Sequence, residues 1–424
     1  MPTPRIRWLV FALIFGFAIS SYLQRQGLNI AAGQMIPQLG LSQQQIGWVM
    51  NAFLIVYAAF QVPGALFGQR FGARFTISVI GILAVVASVL TAAAPLLATG
   101  SFLLATLAFS RSLMGIAYGG LYPVGAGTIR HWFPVGRWST MMGLNVTGLW
   151  TGAFIAAPLV ATLMNAHGWQ AAILMTSLPS LLLVALWWIV VRDTPGEHPW
   201  VKPAERAELA GNPPYDAAVP LSWSRVLRVL GNRQILLLTL SYLIMNYVFY
   251  LVTNWSFLYL VQDRKLSVLE SGWLGALPFV MAGGAAAVGG RISDRFRLQY
   301  GDRWGPRIIP LIALPIAGLF LFLTVALANP YWAIAALCLA FAFVELNEGN
   351  YWGVAMRLEP NDSMAATAVL NMGGNIGGVV GTFFIATISA AEGGWGRVFA
   401  TGAMTSVVAA LLWLTIDAKR GART

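Results

Sequence analysis

The chain has 424 residues, of which 58% are hydrophobic and only 10% charged, with a net charge of +11. Soluble domains carry roughly 25% charged residues, so this composition excludes a water-solvated globular surface and requires lipid around much of the chain. The positive balance does not signal nucleic-acid binding: no basic block is interleaved with aromatics, and the arginines occupy short gaps between apolar runs.

The first apolar run, residues 8–30, follows Arg5 and Arg7. It is too long for the core of a signal peptide and holds Arg25, so it reads as an uncleaved first span. Runs near 47–68, 75–95, 102–127, 140–164 and 169–191 complete a set of six. Residues 192–232 are polar and proline-rich and form a central cytoplasmic linker. Within it Trp223, Val226, Leu227 and Leu230 recur at helical spacing, with Arg225 and Arg228 on the other side. That pattern fits a short helix on the membrane surface, or equally the start of a seventh span. Apolar runs resume near 235–260, 272–290, 307–328, 331–353, 364–388 and 397–416. The reading is an all-α membrane protein of twelve transmembrane helices. Its six-helix halves are residues 1–191 and 233–424, joined by the linker 192–232.

Charge placement orients the chain. With both termini inside, only Arg264, Lys265 and Arg397 of the 26 Lys and Arg lie outside, and Arg25 and Arg111 lie within spans. The remaining bases fall on the cytoplasmic side, the skew that the positive-inside rule expects. The single cysteine, Cys338, lies in an apolar run and permits no internal disulfide.

The two halves carry similar turns. Span two ends in Gly68-Gln69-Arg70-Phe71-Gly72-Ala73-Arg74, and span eight in Gly290-Arg291-Ile292-Ser293-Asp294-Arg295-Phe296. Such repeats build many secondary transporters. At these residues the sequence resembles the major facilitator superfamily, whose loop signature is a Gly, three residues, Asp-Arg, and a Gly-Arg pair. Gly290 to Arg295 matches its core, and Arg70, Gly72 and Arg74 match in the first half. Gln69 stands where the family usually has Asp, which weakens the expected ion-pair latch there; Arg70, Arg74, Asp294 and Arg295 are the gating-loop candidates.

More narrowly, the chain is similar to the anion:cation symporter family of hexuronate, galactonate and phthalate transporters. The residues behind this are Tyr22-x-x-Arg25, Arg111-x-x-x-Gly115 with Tyr122-Pro123, His131-Trp132-Phe133-Pro134, and Asn371-x-x-Gly374-Asn375-x-Gly377-Gly378. The resemblance implies that Arg25 and Arg111, on spans one and four, line a central cavity and bind a substrate carboxylate. It also implies acids just before the first arginine and seven residues after the second. Gln24 and Tyr118 occupy those positions, and neither exchanges a proton near neutral pH.

Charges at bilayer depth cost from a few to more than ten kcal/mol, roughly, so each needs a reason. Four lie well inside spans: Arg25, Arg111, Glu345 and Glu348. A guanidinium stays charged and grips a carboxylate through two bonds. The alternatives for the arginines are snorkelling near a helix end or pairing with a glutamate. Glu345 and Glu348 are three apart and share a face of span ten. Two close carboxylates in low dielectric cannot both ionise cheaply, which makes them the proton-coupling candidates; the alternatives are a structural partner for the arginines and a cation site. Tyr22, Gln24, Tyr57, Tyr118, Asn145, Asn246, Asn371 and Asn375 are further candidates for substrate contact, with interhelical hydrogen bonding as the competing role.

His131, His167 and His198 are scattered with no zinc spacing, and no nucleophile–base pair or nucleotide loop is present. The expectation is therefore no enzyme, no cofactor and no metal. The function expected is secondary active transport of a small organic anion, such as a sugar acid, by alternating access. The coupling ion expected is a proton, with sodium as its alternative, and the protein works as a monomer in a bacterial inner membrane. The competing function is export, exchange or uniport of a zwitterionic or cationic solute; a transporter-like sensor is a more remote one.

Overall fold

The computed structural model describes residues 5–212, 222–389 and 393–418. Pro213, Pro214 and Pro220 of the linker lie outside the described residues. Fifteen α-helices run through the described residues in chain order, and no strand occurs among them. The first is α1 (Ile6–Leu39), which ends on Gly40 in the left-handed region at φ 63°, a helix stop that glycine supplies without strain. Then come α2 (Gln43–Ala59), α3 (Gln61–Leu97), α4 (Gly100–Gly119) and α5 (Leu121–Trp132). Ser42 and Gln45 close a capping box at the head of α2.

The chain continues through α6 (Trp138–Val190), α7 (Pro203–Ala207), α8 (Trp223–Gly231) and α9 (Arg233–Tyr250). A π turn over Leu251–Trp255 joins α9 to α10 (Ser256–Gln262). The last five are α11 (Val268–Ala326), α12 (Pro330–Glu345), α13 (Glu348–Leu358), α14 (Ser363–Ser389) and α15 (Gly394–Leu412).

Nine helical stretches among the described residues are long and apolar enough to cross a membrane. Three helices are interrupted by a glycine at positive φ: Gly72 in α3 (φ 80°), Gly168 in α6 (φ 80°) and Gly301 in α11 (φ 76°). Side chains other than glycine rarely adopt such angles, so each glycine lets the chain leave one helix and enter the next. These are the places where the sequence reading ends one span and starts another.

The contacts divide the chain into two compact units: residues 1–134 with 148–223, and residues 135–147 with 224–424. In the first unit, a core of Leu28, Met35, Val49, Leu107, Val160 and Trp169 ties α1, α2, α4 and α6 together. The first stretch of the linker is fastened to this unit at two points. Asp193 accepts the Arg74 backbone N–H at 2.8 Å just past Gly72, acting as a cap for the helix that restarts there. Burial raises the Asp193 pKa, and its hydrogen bond from the Arg74 backbone opposes that rise. A Cβ on Gly72 would collide with the Asp193 carboxylate, so a glycine is required by space as well as by φ.

At the second point, the fully buried Arg7 donates from Nε to Glu205 Oε1 at 2.9 Å, from Nη2 to the Glu205 carbonyl at 2.8 Å, and from Nη1 to Glu208 at 3.0 Å. Removing one member of a buried pair costs roughly 3–5 kcal/mol, because the other charge is stranded. Glu205→Ala is therefore expected to lower the thermal unfolding midpoint in detergent by several degrees, and by more than Glu208→Ala, whose carboxylate is partly exposed. An unchanged midpoint would show that α7 does not hold the start of α1.

In the second unit, α8 is a helix separate from α9: it ends at Gly231, and Asn232 caps Gln234 at the start of α9. Its apolar residues divide. Val226 and Val229 are buried with the Arg225–Asp362 ion pair (2.8 Å), while Leu227 is exposed. Asn232 also donates to Glu359 at 2.6 Å, and burial raises the pKa of that carboxyl.

Candidate functional site

In the first unit α1 brings Tyr22 and Arg25 against α2 and α4. Phe53 and Tyr57 fall four apart on α2, so their rings stack on one face at 5.4 Å and 17°. The Arg25 guanidinium lies 4.6 Å from the Tyr22 ring centroid and 4.9 Å from those of both Phe53 and Tyr57. Three π faces thus surround one cation, an arrangement worth roughly 1–2 kcal/mol per contact when water is excluded. Arg25 remains half-buried, within reach of an approaching anion.

Arg111 on α4 is buried beneath it. Its guanidinium lies 5.0 Å from the same Phe53 ring, and its Nη2 donates to the Arg25 carbonyl at 3.3 Å. Its Nη1 points at Met114 Sδ, and its Nε has no hydrogen-bond partner among the described residues. No carboxylate pairs with Arg111 among the described residues. A buried cation without an acid is costly unless an anion arrives to neutralise it. Arg111 also borders a void of about 10 Å³, the size of one water, shared with Gln24, Ser88, Thr91 and Thr176.

The two positions where acids were expected are built differently. Gln24 Nε2 donates to Ser180 at 2.6 Å and to Ser20 at 3.3 Å, while its Oε1 accepts from Ser88 at 3.2 Å. That buried amide ties α1, α3 and α6 together, so its side chain is committed to packing. Tyr118 is buried within electrostatic reach of Arg25 and Arg111. Trp150 closes on Tyr22 with ring centroids 6.1 Å apart.

In the second unit Glu345 and Glu348 are both buried. The sequence expects one continuous helical face, but α12 ends at Glu345 and α13 begins at Glu348, so the two acids flank a break at Leu346 and Asn347. Asn347 fills part of that break, donating to the Phe343 carbonyl at 2.8 Å. A Cβ on Gly289 would overlap the Leu346 carbonyl, so α11 passes directly against the break. Glu348 Oε2 accepts from Tyr242 Oη and Trp352 Nε1, both at 3.1 Å. Its Oε1 is buried with no hydrogen-bond partner among the described residues. One oxygen is pinned by two donors and the other is bare.

The asparagine candidates are mostly occupied. Asn246 donates to the Tyr242 carbonyl at 2.8 Å, Asn375 to the Asn371 carbonyl at 2.7 Å, and Tyr250 to Asn375 Oδ1 at 2.9 Å. Asn145 is buried, with its Oδ1 lacking a partner among the described residues. Phe53, Tyr242 and Trp352 were missed as site residues. Two had a visible signal: Phe53 lies four residues before Tyr57, and Trp352 four after Glu348. Tyr242 had none, since only tertiary packing brings α9 to α13.

The loop motif of the second unit is a helix cap. Asp294 accepts from the Thr140 backbone N–H at 2.7 Å, from Thr140 Oγ1 at 2.8 Å and from the Ser139 N–H at 3.4 Å, satisfying orphan donors at the head of α6. Arg357 approaches the same carboxylate at 3.5 Å. Gly290 and Gly349 each face the Ser139 carbonyl too closely to carry a side chain.

Comparison with known proteins places this arrangement. The chain is 25% identical to a hexuronate transporter of Bacillus subtilis, over 88% of this chain and 85% of that protein. It is 28% identical to a quinolone resistance transporter of Acinetobacter baumannii, over 90% and 87%. Among solved structures, the fold is similar to that of the Escherichia coli fucose:proton symporter, with a TM-score of 0.72 at 15% identity, covering 97% of this chain and 100% of that one. The Major Facilitator Superfamily model matches residues 14–358. The family and these relatives are transporters rather than enzymes, and the long apolar helices make this a multi-pass cell-membrane protein. With that match over most of its length, and with a fold of the same type, the chain belongs to the Major Facilitator Superfamily of membrane transporters.

Proposed function

We propose that the protein is a secondary active transporter of a small organic anion, with Arg25 and Arg111 as the groups that hold a carboxylate. The observation that carries this reading is Arg111: a buried guanidinium with no acid partner among the described residues, bonded to the backbone of a second, more accessible arginine. The hexuronate transporter among the relatives supports a carboxylate and, more finely, a sugar acid. Tyr22, Tyr57 and Tyr118 are the neighbouring groups best placed to complete the contact. Asn145 is a further donor and acceptor. Gln24 ties α1, α3 and α6 together and Asn375 links α14 to α9 through Tyr250, while the bonds from Asn246 to Tyr242 and from Asn375 to Asn371 stay within α9 and α14.

The proton site of the proposal is Glu348, assisted by Glu345 across the helix break, with uptake driven by the proton gradient and sodium as the alternative ion. We take the chain to make twelve crossings with both termini in the cytoplasm, a reading supported by the glycine breaks in α3, α6 and α11 and by the skew of Lys and Arg. Arg70, Arg74, Asp294 and Arg295 then lie in the cytoplasmic turns that open and close during alternating access, and the working unit is one chain.

The quinolone resistance relative favours a second reading, export of a larger zwitterionic solute. Uptake by purified protein in liposomes distinguishes the two, using uronates, aldonates and quinolones with pH and sodium gradients imposed separately. Saturable uptake of a sugar acid that rises with a pH gradient supports the proposal. Movement of quinolone alone would overturn it.

A further inference from the structure

The first unit carries an apolar groove of about 270 Å³ that none of the transport chemistry uses. Phe60, Phe67, Val79, Leu83 and Ile116 form its walls, and its floor is where Gly64 and Gly120 meet backbone to backbone. Among the described residues that line it, Thr76 carries the only polar side chain. From Phe60 to Phe67 the helix rises about 10 Å, so the groove runs along α3 for about a third of the hydrocarbon core. It ends where Gly72 turns the chain, the boundary of the span.

That end is not apolar. Phe67, at the mouth of the groove, meets Phe71 with ring centroids 4.6 Å apart, and Phe71 meets Phe75 at 5.9 Å. All three rings are exposed, at 37%, 48% and 42%. The Arg70 guanidinium sits 5.5 Å from the Phe71 ring and is exposed. Arg70 forms no hydrogen bond or ion pair among the described residues, and the acid nearest in sequence logic, Asp193, is committed to the Arg74 N–H. Gln69 beside it carries no charge to compensate.

We infer that this groove with Arg70 is a binding site for one anionic phospholipid, its acyl chain in the groove and its phosphate on Arg70. A dry, membrane-facing groove takes hydrocarbon rather than water, and an unpaired guanidinium at the level of the headgroups takes phosphate. The phenylalanine ladder between them covers the glycerol region and keeps the cation at the surface. Charge complementarity at the mouth is what selects an anionic lipid over a zwitterionic one.

The test uses the purified full chain in detergent, incubated with phosphatidylglycerol or phosphatidylcholine of identical chains and examined by native mass spectrometry. Wild type is expected to retain phosphatidylglycerol about fivefold better, and Arg70→Gln to remove that preference. Val79→Trp, which fills the groove, is expected to lower retention of both lipids. Wild type is also exposed to phosphatidylglycerol carrying a photoreactive acyl chain, so that the outcome does not depend on variants folding. Adducts on residues 60–67 or 79–83 support the site. Equal retention of the two lipids by wild type, adducts confined to other helices, or a dimer that Val79→Trp abolishes would each overturn it.

Discussion

Arg25→Gln is expected to weaken anion uptake roughly a hundredfold in kcat/KM, the loss expected when one partner of a desolvated charge pair is truncated. The effect is large because three rings fix the guanidinium in place, and the buried Arg111 cannot move into the more accessible position it leaves. Arg25→Lys is expected to remain at least tenfold impaired, roughly, since an ammonium neither stacks on Phe53 nor makes two parallel bonds to a carboxylate. Arg111→Gln is expected to match Arg25→Gln, because its Nη2 sets the Arg25 backbone as well as the local charge. The measurement is counterflow of a labelled uronate in proteoliposomes, which needs no ion gradient. Uptake that survives in both glutamine variants would remove the arginines from the substrate site.

Glu348→Gln is expected to abolish accumulation driven by a pH gradient while leaving counterflow largely intact. Glutamine keeps the size of the side chain, and its amide oxygen can still accept from Tyr242 and Trp352. It cannot carry a proton. For one coupled proton, a gradient of one pH unit sustains about a tenfold accumulation, which the variant should lose together with the pH dependence of uptake. Tyr242→Phe is expected to shift that pH dependence without erasing it, since it removes one donor from the pinned oxygen. Full gradient-driven accumulation by Glu348→Gln and by Glu345→Gln would move the coupling site elsewhere. Sodium-driven accumulation lost in the same variants would assign the pair to a cation instead.

The two experiments address different compact units, since the proposed anion-binding arginines lie in the first and the proposed coupling glutamates in the second. Gln24 sharpens that division. Its amide is bonded to Ser180, Ser20 and Ser88 in a buried network that no proton acid could enter without breaking several hydrogen bonds. Around Arg25 and Arg111 the first unit offers neutral hydrogen bonds and aromatic faces, and Glu345 and Glu348 lie in the second.

The broad architecture was legible in composition because lipid imposes it: few charges and long apolar runs leave helices as the structure that satisfies the backbone. Basic turns marked the span ends, and Arg25, Arg111, Glu345 and Glu348 stood out as charges in apolar surroundings. Gly72 was visible in a motif. Its use, meeting the Asp193 carboxylate, was not, because Asp193 lies 121 residues further along the chain. The break between Glu345 and Glu348 was equally hidden. No proline or glycine lies between the two acids, and what accompanies the break is the close passage of α11 at Gly289.

Local sequence therefore determined which segments are helical, where apolar spans stop and which charges demand a purpose, since those depend on hydrophobicity and on the cost of burying charge. The partners were decided only in three dimensions. Phe53 meets two guanidinia, Tyr242 and Trp352 pin one oxygen of Glu348, and Asp294 caps a helix that begins 156 residues earlier in the chain. Hydrogen bonds and cation–π contacts act over a few ångströms, and chain order does not say which helices come that close.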